Sequence, residues 1–159
     1  TELGWSAMDL ATFFALTGIM MVIAEGPILS RLSKKISDAK INLIGLVFLA
    51  SSFVFLLNTD DLPSLIAVAV SFGMGFSMTT TAQLAMNSKI VPENLQGTLH
   101  GSLATIMAVG GVIGLVTGGI LFEVIEAHGV YLMATIISTI LFVLSIPILK
   151  IEKNENKKL

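Results

Sequence analysis

Five apolar stretches, each close to the length of a membrane span, limit what this chain can become. They cover residues 11–29, 41–57, 62–86, 101–125 and 130–151. A helix needs about 20 apolar residues to cross the hydrocarbon core of a bilayer. A soluble helical bundle would need a polar stripe along each helix. This chain lacks the residues for one: only 13% are charged, against roughly 25% in soluble domains, and its mean hydropathy is +0.90. The expected fold is all-α, a polytopic membrane helical bundle. Its five transmembrane helices are expected at about 7–32, 40–57, 63–88, 97–122 and 130–149, so that residues 1–151 form the bundle and 152–159 a tail.

The same residues exclude several classes of function. There is no cysteine, so disulfides and thiolate metal sites are ruled out. No basic patch interleaved with aromatics points to nucleic acid. His100 and His128 fall in separate loops, too isolated for a metal site. No nucleophile stands beside a base, so no enzyme and no cofactor is expected.

The cations fix an orientation. Residues 26–40 read GPILSRLSKKISDAK and carry Arg31, Lys34, Lys35 and Lys40 between two apolar runs. Lys89 lies in the loop between the third and fourth spans, and Lys150, Lys153, Lys157 and Lys158 end the chain. Those positions hold all nine Lys and Arg residues. The other three connecting segments carry Glu2, Asp9, Asp60, Asp61, Glu123 and Glu126. Lys and Arg beside membrane spans are kept on the cytoplasmic side. The leading segment is therefore expected outside the cell membrane and the tail in the cytoplasm, with Trp5 and Tyr131 as interfacial aromatics at the outer face. Ser6 and Asp9 have capping-box spacing at the first helix. An outside start without a signal peptide or initiating Met leads us to expect at least one further span upstream.

Polar residues within the spans are few enough to consider singly. Glu25 is the acid inside the first apolar stretch, with Pro27 two residues on. Phe14, Thr17, Met21 and Glu25 share a helical face. Glu25 either takes up a proton, or pairs with Arg31 or another cation, or extends to the headgroups. An ionised side chain at the bilayer centre costs about 2.5–3.5 kcal/mol even on the mildest scale. In the third span Phe76, Thr80, Gln83 and Asn87 share a face. Their polar groups need partners in lipid, which either a water-filled substrate cavity or a neighbouring helix can supply. Gly110, Gly114 and Gly118 lie four apart and form a groove suited to close helix packing, or to a seam along which helices slide. The second span is nearly featureless, and the fifth carries only the hydroxyls of Thr135, Ser138 and Ser145, which can bond their own backbone.

Three stretches carry a family resemblance. Leu3-Gly4-Trp5-Ser6 looks like the entry to a transporter's eighth helix. Gly26, Arg31, Lys34 and Lys35 match a weakened G-x-x-x-D-R-x-G-R-[KR] loop motif, with Ser30 in place of its Asp and Ser33 in place of its second Gly. Residues 92–97, Pro-Glu-Asn-Leu-Gln-Gly, followed by Gly101-Ser102-Leu103, are similar to the tenth-to-eleventh loop of the same family. The chain thus resembles the C-terminal half of a major facilitator superfamily transporter, in the drug–proton antiporter branch that includes tetracycline efflux pumps. The resemblance implies helices eight to twelve of a two-half fold rocking about a central cavity. It implies a lipid bilayer, the N-terminal half of the same transporter, a small-molecule substrate and protons as partners. Efflux by alternating access, with multidrug resistance as its outcome, is the expected activity. Unlike the tetracycline pumps, this chain has no acid in its second or fourth span. A non-transporting helical bundle, such as an accessory subunit or an oligomeric pore, is the alternative.

Overall fold

A computed structural model describes residues 7–57 and 62–155. Trp5, Ser6, the acidic turn at 58–61 and the last tail residues, 156–159, lie outside the described residues. All regular structure among them is helical. α1 runs over Ala7–Leu32, α2 over Asp38–Leu56, α3 over Leu62–Ile90 and α4 over Gln96–Glu155, with a short 3-10 turn at Glu93–Leu95 before α4.

Among the described residues four helices are long and apolar enough to cross a membrane, where the apolar windows predict five. The difference lies in α4. Its 60 residues would extend about 90 Å at 1.5 Å per residue, roughly three times the hydrocarbon thickness. A loop is expected around Glu123, Glu126 and His128. In its place one residue, Glu126, leaves helical geometry at φ 59 and ψ 174. That backbone region is essentially reserved for glycine and costs about 1–3 kcal/mol. Gly129 lies three residues further on, and a Cβ there would lie 2.9 Å from the Cβ of Ile125. The missing side chain lets the chain break sharply, so no longer loop is needed. The two arms, 96–125 and 127–155, are each long enough to span a bilayer.

α3 is the centre of the bundle. It packs against α1 on one side and α2 on the other, and α4 packs chiefly on α2. The crossings are made by single glycines. A Cβ on Gly75 would sit 2.6 Å from the Leu49 amide nitrogen, and one on Gly45 would sit 2.5 Å from the Thr79 Oγ1. A Cβ on Gly73 would meet the Thr17 carbonyl oxygen at 2.8 Å. These contacts bring α2 and α1 backbone to backbone with α3. The basic ends of α1, α2 and α3 converge over an apolar cluster of Leu29, Ile41, Met78 and Ala82, with Leu32, Ile36 and Phe48 against it.

Gly110, Gly114 and Gly118 behave differently. A Cβ at any of them meets nothing within 4 Å. No residue of the first α4 arm is buried, and Leu115 is 81% exposed.

Candidate functional site

The local fold around Glu25 follows from Pro27. Proline has no N–H to donate and its ring disturbs the preceding turn. α1 relaxes there into a π-turn over Ala24–Ile28. The Leu29 N–H reaches back five residues to the Ala24 carbonyl, and the helix then resumes to Leu32. Such single-turn bulges occur often at functional sites.

The bulge places Glu25 against α3. The Ser77 hydroxyl lies 3.3 Å from Glu25 Oε1 and 3.4 Å from the Met21 carbonyl oxygen. Ser77 is only 1% exposed, so this is a hydrogen bond made inside the α1–α3 contact. Glu25 also lines a cavity of about 240 Å³ at the basic end, with Leu29, Ser30 and Ser33 of the same segment. Asp38 and Ile41 close the cavity from α2, and Thr81, Ala82 and Ala85 from α3. Two carboxylates and three hydroxyl-bearing residues therefore share one small space.

Asp38 was not singled out by any sequence signal. It opens α2 after Ser37, whose backbone is extended. Its charge suits the positive end of a helix. It is 8% exposed, and Lys89 Nζ in the last turn of α3 pairs with its Oδ2 at 2.5 Å. Lys89 carries the opposite charge at the opposite helix end, where a cation is favoured. The available hint was the acid at a helix start within an otherwise basic loop.

The other expected site residues scatter. Thr17 is buried at the Gly73 crossing, and its hydroxyl bonds the Phe13 carbonyl at 2.8 Å. Met21 is half-buried beside it. Phe76 stacks on Phe72, centroids 6.0 Å apart, and stays partly exposed. The Thr80 hydroxyl bonds its own helix at the Phe76 carbonyl, 2.8 Å away. Gln83 donates to Asn42 Oδ1 on α2 at 3.4 Å, and Asn42 Nδ2 in turn lies 3.5 Å from the Ser145 Oγ on α4. For Gln83 the neighbouring helix supplies the partner. Asn42, 2% exposed, lies in the span that seemed featureless, and Ser145 is tied to it across helices. Thr135 bonds its own backbone at Tyr131. Asn87 is half-buried and Arg31 is exposed. Among the described residues Arg31 forms no ion pair with Glu25.

Apolar helices of spanning length, joined through a few buried polar contacts, define a multi-pass membrane protein. The sequence matches the profile of the Major Facilitator Superfamily over residues 1–159. The chain belongs to that family. It is similar to a protein of Schizosaccharomyces pombe described as an uncharacterized MFS-type transporter, 27% identical over 148 residues, covering 93% of this chain and 33% of that one. A protein of Methanocaldococcus jannaschii with the same description is 27% identical over 132 residues, covering 82% of this chain and 33% of that one. The chain thus spans about a third of the length of the curated relatives it matches. No solved structure matches it.

Proposed function

We propose that this chain is the C-terminal part of a secondary active transporter of the drug–proton antiporter branch, exporting small molecules by alternating access. The observation that carries the proposal is Glu25, a carboxylate within a span, held by a buried hydroxyl and lining a cavity. Ser77 occupies one carboxylate oxygen. The other can take a proton without breaking that bond, because a protonated carboxyl keeps an acceptor oxygen. Glu25 is accordingly the proton carrier in this reading.

The remaining roles follow. The spans correspond to helices eight to twelve, in a bundle of residues 1–151 with a tail from 152 onward. Met21, Phe76, Thr80, Gln83 and Asn87, with Thr17 behind them, form this half's contribution to the substrate wall. Gly110, Gly114 and Gly118 accept a close-packed helix from the remainder of the transporter, which the threefold greater length of the relatives supports. Arg31 and the neighbouring lysines hold the basic ends on the cytoplasmic side of the cell membrane, with the leading end outside.

The test is transport by the full-length protein in sealed vesicles, with and without a proton gradient. Glu25→Gln removes the titrating group and keeps an oxygen for Ser77. Loss of gradient-driven transport with exchange retained is expected. Unchanged proton coupling in that variant would dismiss Glu25 as the carrier.

A further inference from the structure

We infer that the Ser77 hydroxyl is a two-position sensor of the Glu25 proton. It holds Glu25 against α3 while the carboxylate is ionised, and turns to the Met21 carbonyl when Glu25 becomes neutral. Ser77 is thus a positioning residue for the proton step, and the inference rests on the reading above in giving that step to Glu25. Three observations carry it.

The first is register. Gly73 and Ser77 lie about one turn apart on α3. Gly73 faces the Thr17 carbonyl, the Met20 Cβ and the Met21 backbone nitrogen. Ser77 faces the Met21 carbonyl and Glu25. The close crossing at Gly73 therefore fixes where Ser77 stands against the Met21 backbone. Glu25 reaches the same hydroxyl through a flexible side chain, from the π-turn that contains Pro27. One acceptor is set by backbone packing, and the other is free to come and go.

The second is competition. The Ser77 oxygen lies 3.3 Å from Glu25 Oε1 and 3.4 Å from the Met21 carbonyl oxygen. A hydroxyl has one proton to donate, so it serves one of them at a time. Ser77 is 1% exposed, which keeps bulk water from competing. The distances are nearly equal, so acceptor strength decides. The ionised carboxylate wins, since a bond to a charged group is about twice as strong as one between neutral groups. Proton uptake on the other carboxyl oxygen leaves Oε1 an acceptor but removes that charge. The carbonyl of a neutral acid is then a poorer acceptor than a peptide carbonyl, whose oxygen is enriched by amide resonance. The hydroxyl turns to Met21. No proton leaves Ser77, and its buried oxygen stays bonded in both states.

The third is the surroundings. Among the described residues Ser77 is the donor that Glu25 has. Asp38 of α2 lines the same cavity and is paired with Lys89. The α3 residues in that wall, Thr81, Ala82 and Ala85, carry no charge. Arg31, on α1 itself, makes no ion pair with Glu25. When Ser77 turns away, no other described group bonds Glu25 to α3, and the neutral side chain is released.

A serine bonded to Glu25 in both protonation states would be a fixed brace. Infrared difference spectra of the full-length transporter in lipid, acid minus alkaline, separate the two roles. The Glu25 bands are those lost in Glu25→Gln. Ser77→Ala should shift the carboxylate stretches of Glu25 and leave its acid carbonyl stretch in place. Ser77→Thr, which keeps the hydroxyl, should restore the carboxylate stretches. An acid carbonyl band that also moves in Ser77→Ala would mean that Ser77 stays on the neutral acid. Unmoved carboxylate bands would mean that it never bonds the ionised one. Either result overturns the sensor. Ser77→Cys gives a readout that does not depend on the alanine variant folding. This stretch has no cysteine, and any elsewhere in the full-length protein is replaced. The S–H stretch should rise in frequency as Glu25 takes up its proton, because the bond to a charged acceptor is the stronger. A stretch indifferent to that proton would also overturn the sensor. If no Glu25 acid band forms at any pH tested, sensor and carrier fall together. Bands that behave as expected, with proton coupling unchanged in Glu25→Gln, would keep the sensor and remove the carrier.

Discussion

Two sets of glycines in this molecule lead opposite lives. Gly45, Gly73 and Gly75 lie where α2 and α1 cross α3, and a Cβ at each would press into a neighbouring helix. Gly110, Gly114 and Gly118 form the more regular pattern, one residue per turn, yet among the described residues nothing comes within 4 Å of a Cβ placed there. Regular spacing shows where a helix could be approached closely. It does not show that the approaching partner belongs to the same segment of chain. Around the first set the structure is sealed, with Ser77 and Thr79 buried between helices. Around the second, apolar side chains such as Leu115 and Ile106 face outward on all sides.

The largest expected effect comes from filling a crossing. Gly75→Val puts a branched side chain 2.6 Å from the Leu49 backbone, which cannot move aside as a side-chain tip can. Overpacking costs about 1–3 kcal/mol even in forgiving sites, and backbone contact makes this site unforgiving. Thermal unfolding of the purified full-length protein in detergent should show a marked loss, or no folded protein. Gly114→Val gives the comparison its edge. With the helix proposed above packed into that groove, Gly114→Val should also lower the melting temperature of the full-length protein; an unchanged value would mean that the first α4 arm faces lipid. An equally damaging Gly114→Val would show that another part of the transporter packs into that groove, and the contrast between the two glycine sets would then be one of partner, not of packing.

Legibility followed the same division. The apolar windows marked the spans, since helix length in lipid is set by bilayer thickness. They could not show that the fourth and fifth windows form one helix broken at Glu126, because that break depends on a single backbone geometry. The motif loop around Arg31 was readable as basic, but the pairing of Asp38 with Lys89 was not, since 51 residues separate them. Glu25 stood out because a carboxylate in a span is rare. Its partner, Ser77, did not, because a serine in a helix is unremarkable until the facing helix is placed. The same holds for Asn42. Its span reads as nearly featureless, and only packing shows that its amide lies between Gln83 and Ser145.

Asn42→Leu tests how much that buried relay contributes beside the glycine crossings. The variant keeps the volume and removes both bonds at once. Interhelical hydrogen bonds in membranes average about 0.6 kcal/mol, so a drop in stability of about 1 kcal/mol is expected. That is smaller than the effect of Gly75→Val on the same unfolding assay. An effect as large as that of Gly75→Val would mean that polar contacts, and not backbone proximity, hold α2 in place.

The smallest effect is expected at Thr79, and its sign is informative. Its Oγ1 is buried without a hydrogen-bond partner, at the spot where α2 comes closest. A buried hydroxyl without a partner carries a desolvation cost of about 1–3 kcal/mol. The Gly45 contact explains why it is tolerated: the oxygen fits where only a glycine faces it, and the tightness of the crossing leaves no room for a second polar group. Thr79→Val exchanges the hydroxyl for a methyl of similar size. Stability should be unchanged or slightly higher, since the variant removes the unmet donor and keeps the shape. A clear loss would show that the hydroxyl finds a partner in the full-length protein. The crossing would then resemble the first α4 arm in depending on chain outside this segment.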